Sequence, residues 1–319
     1  MRQIYLAVLV SLAFDGPVFA QSDIQTQPAT PSVEDLTNHA EPPILGITYS
    51  RDFANSRQAN AATKSPLMSY YGGKIMPTVV SKAIFWGSNW AKSSFAGDKI
   101  TGLDAWYVGH NGSNYAATSN EYTGTNGRVG SIGFIHQGHV IDPSVARSGG
   151  STQVILNEVC KQITAGTIIP DMAGNGYYPV YSTVKRGNAG YCAWHSAGTC
   201  SYQGQSVPVQ FGFFFSLDGD AGCDPQDTQT RHSQGLAALA NVSAHELAEA
   251  RTDPAIPGAW YDAAGSENGD KCAWTFGAPY VTFTDGNIWK LQGEWSNAAY
   301  TAGTGYPNSS GQKGCLSGN

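Results

Sequence analysis

The sequence predicts an α+β fold, with a twisted, mainly antiparallel or mixed sheet packed by a few helices. Short runs of β-branched and aromatic residues recur between Gly-, Asn- and Pro-rich turns, as the strands of a partly buried sheet do. Other segments place apolar residues at helical spacing. One of these, from about Ser233 to Ala250, has small or apolar residues on two rows, which marks a helix enclosed by the rest of the fold.

Taken in order, Met1–Ala20 reads as a secretory signal peptide: Arg2 gives a charged start, Ile4–Phe14 an apolar core, and Val18-Phe19-Ala20 a cleavage site. That core is too short to span a bilayer. A secreted protein, extracellular or periplasmic and without a membrane span, is expected. Gln21–Pro43 is rich in Gln, Thr, Pro and Ser and reads as a disordered leader, with a single domain expected over 44–319.

Within that domain Ile44–Tyr49 and Ile75–Trp86 carry strand residues, and Tyr71-Gly72-Gly73 marks a turn before the second. Ile100, Leu103, Trp106 and Tyr107 predict a helix over Asp98–Val108. Val129–Ile135 predicts a strand, with His136 and His139 in the loop after it, where a shared metal competes with ordinary hydrogen bonding. Ser151 suits the N-cap of a helix that ends near Ala165-Gly166. Tyr177–Val184 and Val207–Leu217 predict strands, and the run Phe211–Phe215 is apolar enough to be buried on both faces. Asp218-Gly219-Asp220 with Asp224 resembles a calcium loop but fits no full EF-hand, and a Gly-Asp turn explains it as well. Asp285-Gly286 predicts a hairpin turn between Tyr280–Thr284 and Asn287–Leu291.

Charged residues make up 13% of the chain and the net charge is −6, so no basic surface for nucleic acid is expected. The 6 cysteines fit disulfides formed in an oxidising compartment. The expected pairing is Cys192–Cys200 as a local loop and Cys272–Cys315 as a C-terminal clamp, leaving Cys160 for Cys223.

The chemistry concentrates in Ser243-Ala244-His245-Glu246-Leu247-Ala248-Glu249. Helical positions four apart lie one above the other, so His245 and Glu249 can grip one ion while Glu246, next round the helix, leans toward it. That arrangement is similar to the active-site helix of zincin peptidases, with Glu in place of the second His. Glu246 is then the general base, and a third ligand is expected from the acidic stretch downstream: Glu267 first, Asp270 second, Asp262 third. Glu267 with Asp270 also resembles the downstream Glu and Asp pair of gluzincins. One His with two carboxylates is a harder donor set than zinc usually takes, which admits manganese or iron beside zinc. His195 and His232 are candidates for steadying an oxyanion. A buried polar network without metal is the competing expectation for the same residues.

The order of several motifs resembles the EXORDIUM-like, or phosphate-induced protein, family of plants, fungi and bacteria. Those motifs are Ser69-Tyr70-Tyr71-Gly72-Gly73 leading into Ile84-Phe85-Trp86-Gly87; Tyr191-Cys192-Ala193-Trp194-His195; and, after the helix, Thr252-Asp253-Pro254, Ala259-Trp260-Tyr261-Asp262 and Glu267-Asn268-Gly269-Asp270-Lys271-Cys272. The resemblance implies a secreted, often wall-associated protein with no settled reaction, and His245-Glu246 with Glu249 looks like its bacterial version. Two functions are therefore expected. The first is a secreted zinc-dependent hydrolase, a peptidase acting on a peptide or cell-wall-associated substrate. The alternative is a non-catalytic wall protein for binding or signalling, in which Tyr70, Tyr71, Trp86, Trp106 and Trp260 offer aromatic faces to a glycan.

Overall fold

In the main sheet, strands β1 (Ile44–Tyr49), β2 (Val79–Trp86), β3 (Phe134–Asp142), β4 (Gly176–Lys185), β5 (Tyr191–Tyr202) and β6 (Gln205–Ser216) lie in the order β1-β5-β6-β4-β2-β3. The computed structural model describes residues 41–54 and 65–319. The expected signal peptide and the leader up to Ala40 lie outside the described residues. Strands β6, β4, β2 and β3 run parallel, and β5 is antiparallel to both β6 and β1. The sheet is thus mixed and the class α+β.

Parallel neighbours need crossovers. Helix α1 (Lys99–His110) supplies the one between β2 and β3, and helix α2 (Thr152–Thr164) the one between β3 and β4. Ser151 caps α2 by accepting the N–H of Val154. Strands β5 and β6 need only Gln203 and Gly204, whose φ angles of 49° and 75° give the primed turn that matches strand twist. Every residue of β6 from Val209 to Ser216 is buried, as its phenylalanine run requires.

Alternation along β5 decides which side chains meet which layer. Trp194 and Gly198 face α2, where the Trp194 indole donates to the carbonyl of Gly149 and a Cβ on Gly198 would meet Leu156. His195, one residue on from Trp194, faces the opposite layer. There lies helix α3 (Gln234–Thr252), capped by Ser233 and ended at Asp253-Pro254. Every residue from Gly235 to Thr252 is buried. Alanines at 237, 238, 240, 244, 248 and 250 make room for neighbours on all sides. A second core of Met68, Ile75, Tyr122, Val129, Ala259, Trp295 and the Cys272–Cys315 disulfide carries the C-terminal region.

Several expectations need correction. Cys192 and Cys200 both lie on β5, eight positions apart, a span of about 26 Å at strand rise that no disulfide closes. Cys192 pairs instead with Cys223, and Cys200 with Cys160 of α2; Cys272–Cys315 is as expected. His136 and His139 stand on β3 rather than in a loop, because the strand starts at Phe134 and runs on to Asp142. A register shift beside Gly138, at φ 72°, turns both rings to Asp104 of α1, at 2.9 Å and 2.6 Å. Ser81 completes that network on the other nitrogen of His136, at 2.8 Å. Trp86 and Trp106 are buried in the core and offer no face to a glycan. Among the described residues no helix is long and apolar enough to cross a membrane.

Candidate metal centre

Helix α3 presents His245 and Glu249 one turn apart, and His245 Nε2 lies 2.9 Å from Glu249 Oε1. Strand β5 brings His195 to the other side of the same carboxylate, with Nε2 at 3.7 Å from Glu249 Oε2. Glu267 arrives from the start of a one-turn helix, α4 (Asn268–Lys271), and its Oε1 lies 3.5 Å from His195 Nε2. Asp270 holds that turn by accepting the N–H of Glu267 at 3.2 Å, donates its own N–H to Glu249 Oε1 at 3.1 Å, and sets Oδ1 at 3.8 Å from His245 Nε2. Two overlapping groups result, each with three ligand atoms within 4.8 Å of one another: His195, Glu249 and Glu267, and His245, Glu249 and Asp270.

Two glycines clear the space. A Cβ on Gly46, paired with His195 across β1 and β5, would lie 2.1 Å from Glu249 Oε2 and 2.5 Å from His195 Nε2. A Cβ on Gly269 would lie 3.0 Å from Glu249 Oε1.

Burial dominates the electrostatics. It pushes the carboxyls of Glu246, Glu249 and Glu267 well above their usual range, and neighbouring carboxylates, Asp253 and Asp270 among them, add to the rise. It also pulls His195 down to about 3, with His245 contributing. Both ring nitrogens of His195 are buried without a hydrogen-bond partner, and so are Nε2 of His245, Oε2 of Glu246, Glu249 and Glu267 and the Tyr177 hydroxyl. Buried polar atoms are ordinarily paired, so a convergent set of orphans is the pattern a cation would satisfy. One imidazole and two carboxylates are donors that zinc, manganese or iron accept.

Glu246 is oriented by β1: its Oε1 accepts the N–H of Thr48 at 2.8 Å and the Thr48 hydroxyl at 2.6 Å. The remaining sequence candidates sit elsewhere. Asp262 binds Lys271 Nζ at 2.9 Å and caps its own turn through Ala264 and Ser266. His232 stacks on Trp289 at 4.2 Å and bonds the carbonyl of Ile288. Asp218 pairs with Lys99, and Asp220 with Arg186, so the calcium-like loop is a turn tied down by cations of the chain. Sequence reasoning missed His195 as a neighbour of both carboxylates, and it missed Tyr177.

A groove of about 750 Å3 is lined by residues that include Leu45, next in sequence to Gly46, Ala197, two positions after His195, and Pro254, just after α3. The imidazoles and carboxylates of the centre do not line it. No family model, curated protein or solved structure matches the chain.

Proposed function

We propose that the chain is a secreted metal-dependent hydrolase of the peptidase kind, and that it belongs with the EXORDIUM-like proteins its motifs resemble. The observation that carries the reading is His195, fully buried with neither ring nitrogen partnered, facing two buried carboxylates at 3.5 Å and 3.7 Å. An ion held by these residues would supply Lewis acidity toward a peptide carbonyl and toward water. Glu246 keeps one oxygen on Thr48 and leaves Oε2 to take a proton from water and return it to the leaving amine. Burial raises the basicity of Glu246 toward the range a general base needs. Tyr177 offers a hydroxyl without a partner on the same face of the sheet as a donor for a developing oxyanion. The groove suits an extended chain: its wall carries one charged residue, Lys74, and the amides of Asn126, Gln153, Asn175 and Gln210 among Gly, Pro, Ala and Thr, which fits backbone recognition more than charge.

The test is hydrolysis of mixed-sequence peptides by the purified chain supplied with zinc or manganese. Glu246→Gln should keep the ion and lower kcat by at least about 100-fold. Unchanged turnover in that variant would remove Glu246 from the mechanism.

A second reading is favoured by one feature. The Tyr71 ring is 46% exposed and stacks on Tyr261 at 4.0 Å and 6°, with Tyr70 beside Trp260 at 5.3 Å. Such a platform fits a sugar ring. Retention of wall glycans by a metal-loaded chain that cleaves no peptide would favour this binding function.

A further inference from the structure

We infer that Gln292 locks the His245 ring with its hydrogen on Nε2, so that His245 is not a ligand of the ion, and that His195 is the one imidazole ligand. The inference rests on the metal-dependent reading above.

Gln292 is fully buried, and its amide is oriented from both ends. Its Nε2 donates to the carbonyl of Gly269 at 3.0 Å, and its Oε1 accepts the N–H of Trp274 at 3.3 Å. The opposite orientation would set oxygen against oxygen and N–H against N–H. Its backbone N–H is tied to Asn241 Oδ1 at 2.8 Å, one turn of α3 before His245. The same Nε2 lies 3.0 Å from His245 Nδ1. An amide nitrogen donates and does not accept, so Nδ1 must be the acceptor. A neutral imidazole that accepts at Nδ1 carries its hydrogen on Nε2.

Glu249 Oε1 lies 2.9 Å from His245 Nε2, but the N–H is not aimed at it, and Nε2 is buried without a hydrogen-bond partner. A nitrogen bearing hydrogen has no lone pair for a cation. Metal-bound histidines show the reverse pattern, with the second nitrogen donating to an acceptor. Glu249 Oε1 accepts the backbone N–H of Asp270, which leaves Oε2, buried without a partner, for an ion.

His195 differs in having nothing on Nδ1. No neighbour dictates its tautomer, because neither ring nitrogen has a hydrogen-bond partner. Ligand atoms each about 2.1 Å from a tetrahedral ion lie about 3.4 Å from one another. The distances from His195 Nε2 to Glu267 Oε1 and Glu249 Oε2 are 3.5 Å and 3.7 Å. His195 Nε2, Glu249 Oε2 and Glu267 Oε1 are thus spaced as ligands.

Two readouts on the full chain test this. The first is the long-range proton–nitrogen NMR spectrum of the histidine rings, metal-free and with zinc added. It should show His245 bearing hydrogen at Nε2 in both states. The second is zinc affinity by chelator competition, with folding of each variant checked by thermal melt. His245→Gln keeps a terminal N–H donor and should bind zinc within about 10-fold of wild type, whereas His195→Gln should bind at least about 100-fold more weakly. Gln292→Glu replaces the donating amide by an acceptor and should move the His245 hydrogen to Nδ1. A metal-bound Nε2 signal from His245, or equal loss of zinc in the two histidine variants, would overturn the inference. Absence of any bound ion in folded wild type would instead overturn the metal-dependent reading and the role of His195. The ring spectrum of the metal-free chain would still decide whether Gln292 locks His245.

Discussion

Gly46 shows how closely the centre is fitted. It has no left-handed φ to explain it, so its requirement is space alone: any Cβ there meets the carboxylate of Glu249 and the ring of His195. Gly46→Ala is expected to cost about 1–3 kcal/mol by forcing buried side chains apart. It should also abolish tight zinc binding, because Glu249 Oε2 and His195 Nε2 can no longer share an ion; calorimetric titration and urea unfolding check both. Thr48 acts on the base in the same manner. Thr48→Val removes the hydroxyl that Glu246 accepts at 2.6 Å and leaves the N–H contact at 2.8 Å. A loss of about 1–3 kcal/mol is expected for a buried carboxylate that loses one donor, with kcat falling and zinc affinity retained. At this scale His245, Glu246 and Glu249 were legible because helix spacing is a local property of the chain. Glu267 was legible as an acidic residue downstream. His195 was not, since its relation to Glu249 exists only through the packing of β5 on α3.

The helices were legible for a local reason as well: Ser151 and Ser233 cap where their side chains predict, and Asp253-Pro254 stops α3. Strand β5 was misread because two cysteines within it suggested a looped disulfide. Strand pairing is non-local, and Gly, Ser and Thr at 196–199 hide the alternation that sends His195 inward. His136 and His139 were displaced into a loop for a similar reason, since the irregularity at Gly138 interrupts the two-residue period. Helix α4 carries Glu267 and Asp270 on one turn, too short to stand alone. The disulfide from Cys272 to Cys315, 43 residues apart, clamps its end. Replacing both cysteines by Ser should cost about 2–4 kcal/mol. It should also weaken zinc binding while the far-UV spectrum of the main sheet persists; unchanged affinity would show that the turn holds its shape without the clamp.

Across the whole molecule, the pH dependence of stability has a source remote from the centre. Glu158 on α2 faces Asp142 at the end of β3, with Lys161 bonded to both. Burial and the neighbouring Asp142 raise Glu158 from 4.5 to about 7. Asp142, although burial opposes it, is held well below its usual range by hydrogen bonds with Glu158 and Lys161. Between 4.5 and about 7 the folded chain keeps a proton on Glu158 that the unfolded chain has released. The stability from this group is therefore complete below 4.5 and is lost as pH rises through about 7. Glu158→Gln imitates the protonated form. Urea midpoints taken at about pH 5 and about pH 8 should fall more in wild type than in this variant; equal slopes would place the proton elsewhere.

The α+β class and the enclosure of α3 were legible because they follow from patterning summed over the chain. Two disulfides and the main-sheet order were not, since both depend on which distant strands meet. The most direct measurement is the metal content of the purified full chain by mass spectrometry, before and after exhaustive dialysis against chelator. About one tightly held zinc, manganese or iron per chain, absent from a folded Glu249→Ala variant, is the expected result. A folded, fully stable wild-type chain that takes up no ion at any added metal would contradict the metal centre, and would leave His195, Glu249 and Glu267 as a buried polar cluster alone.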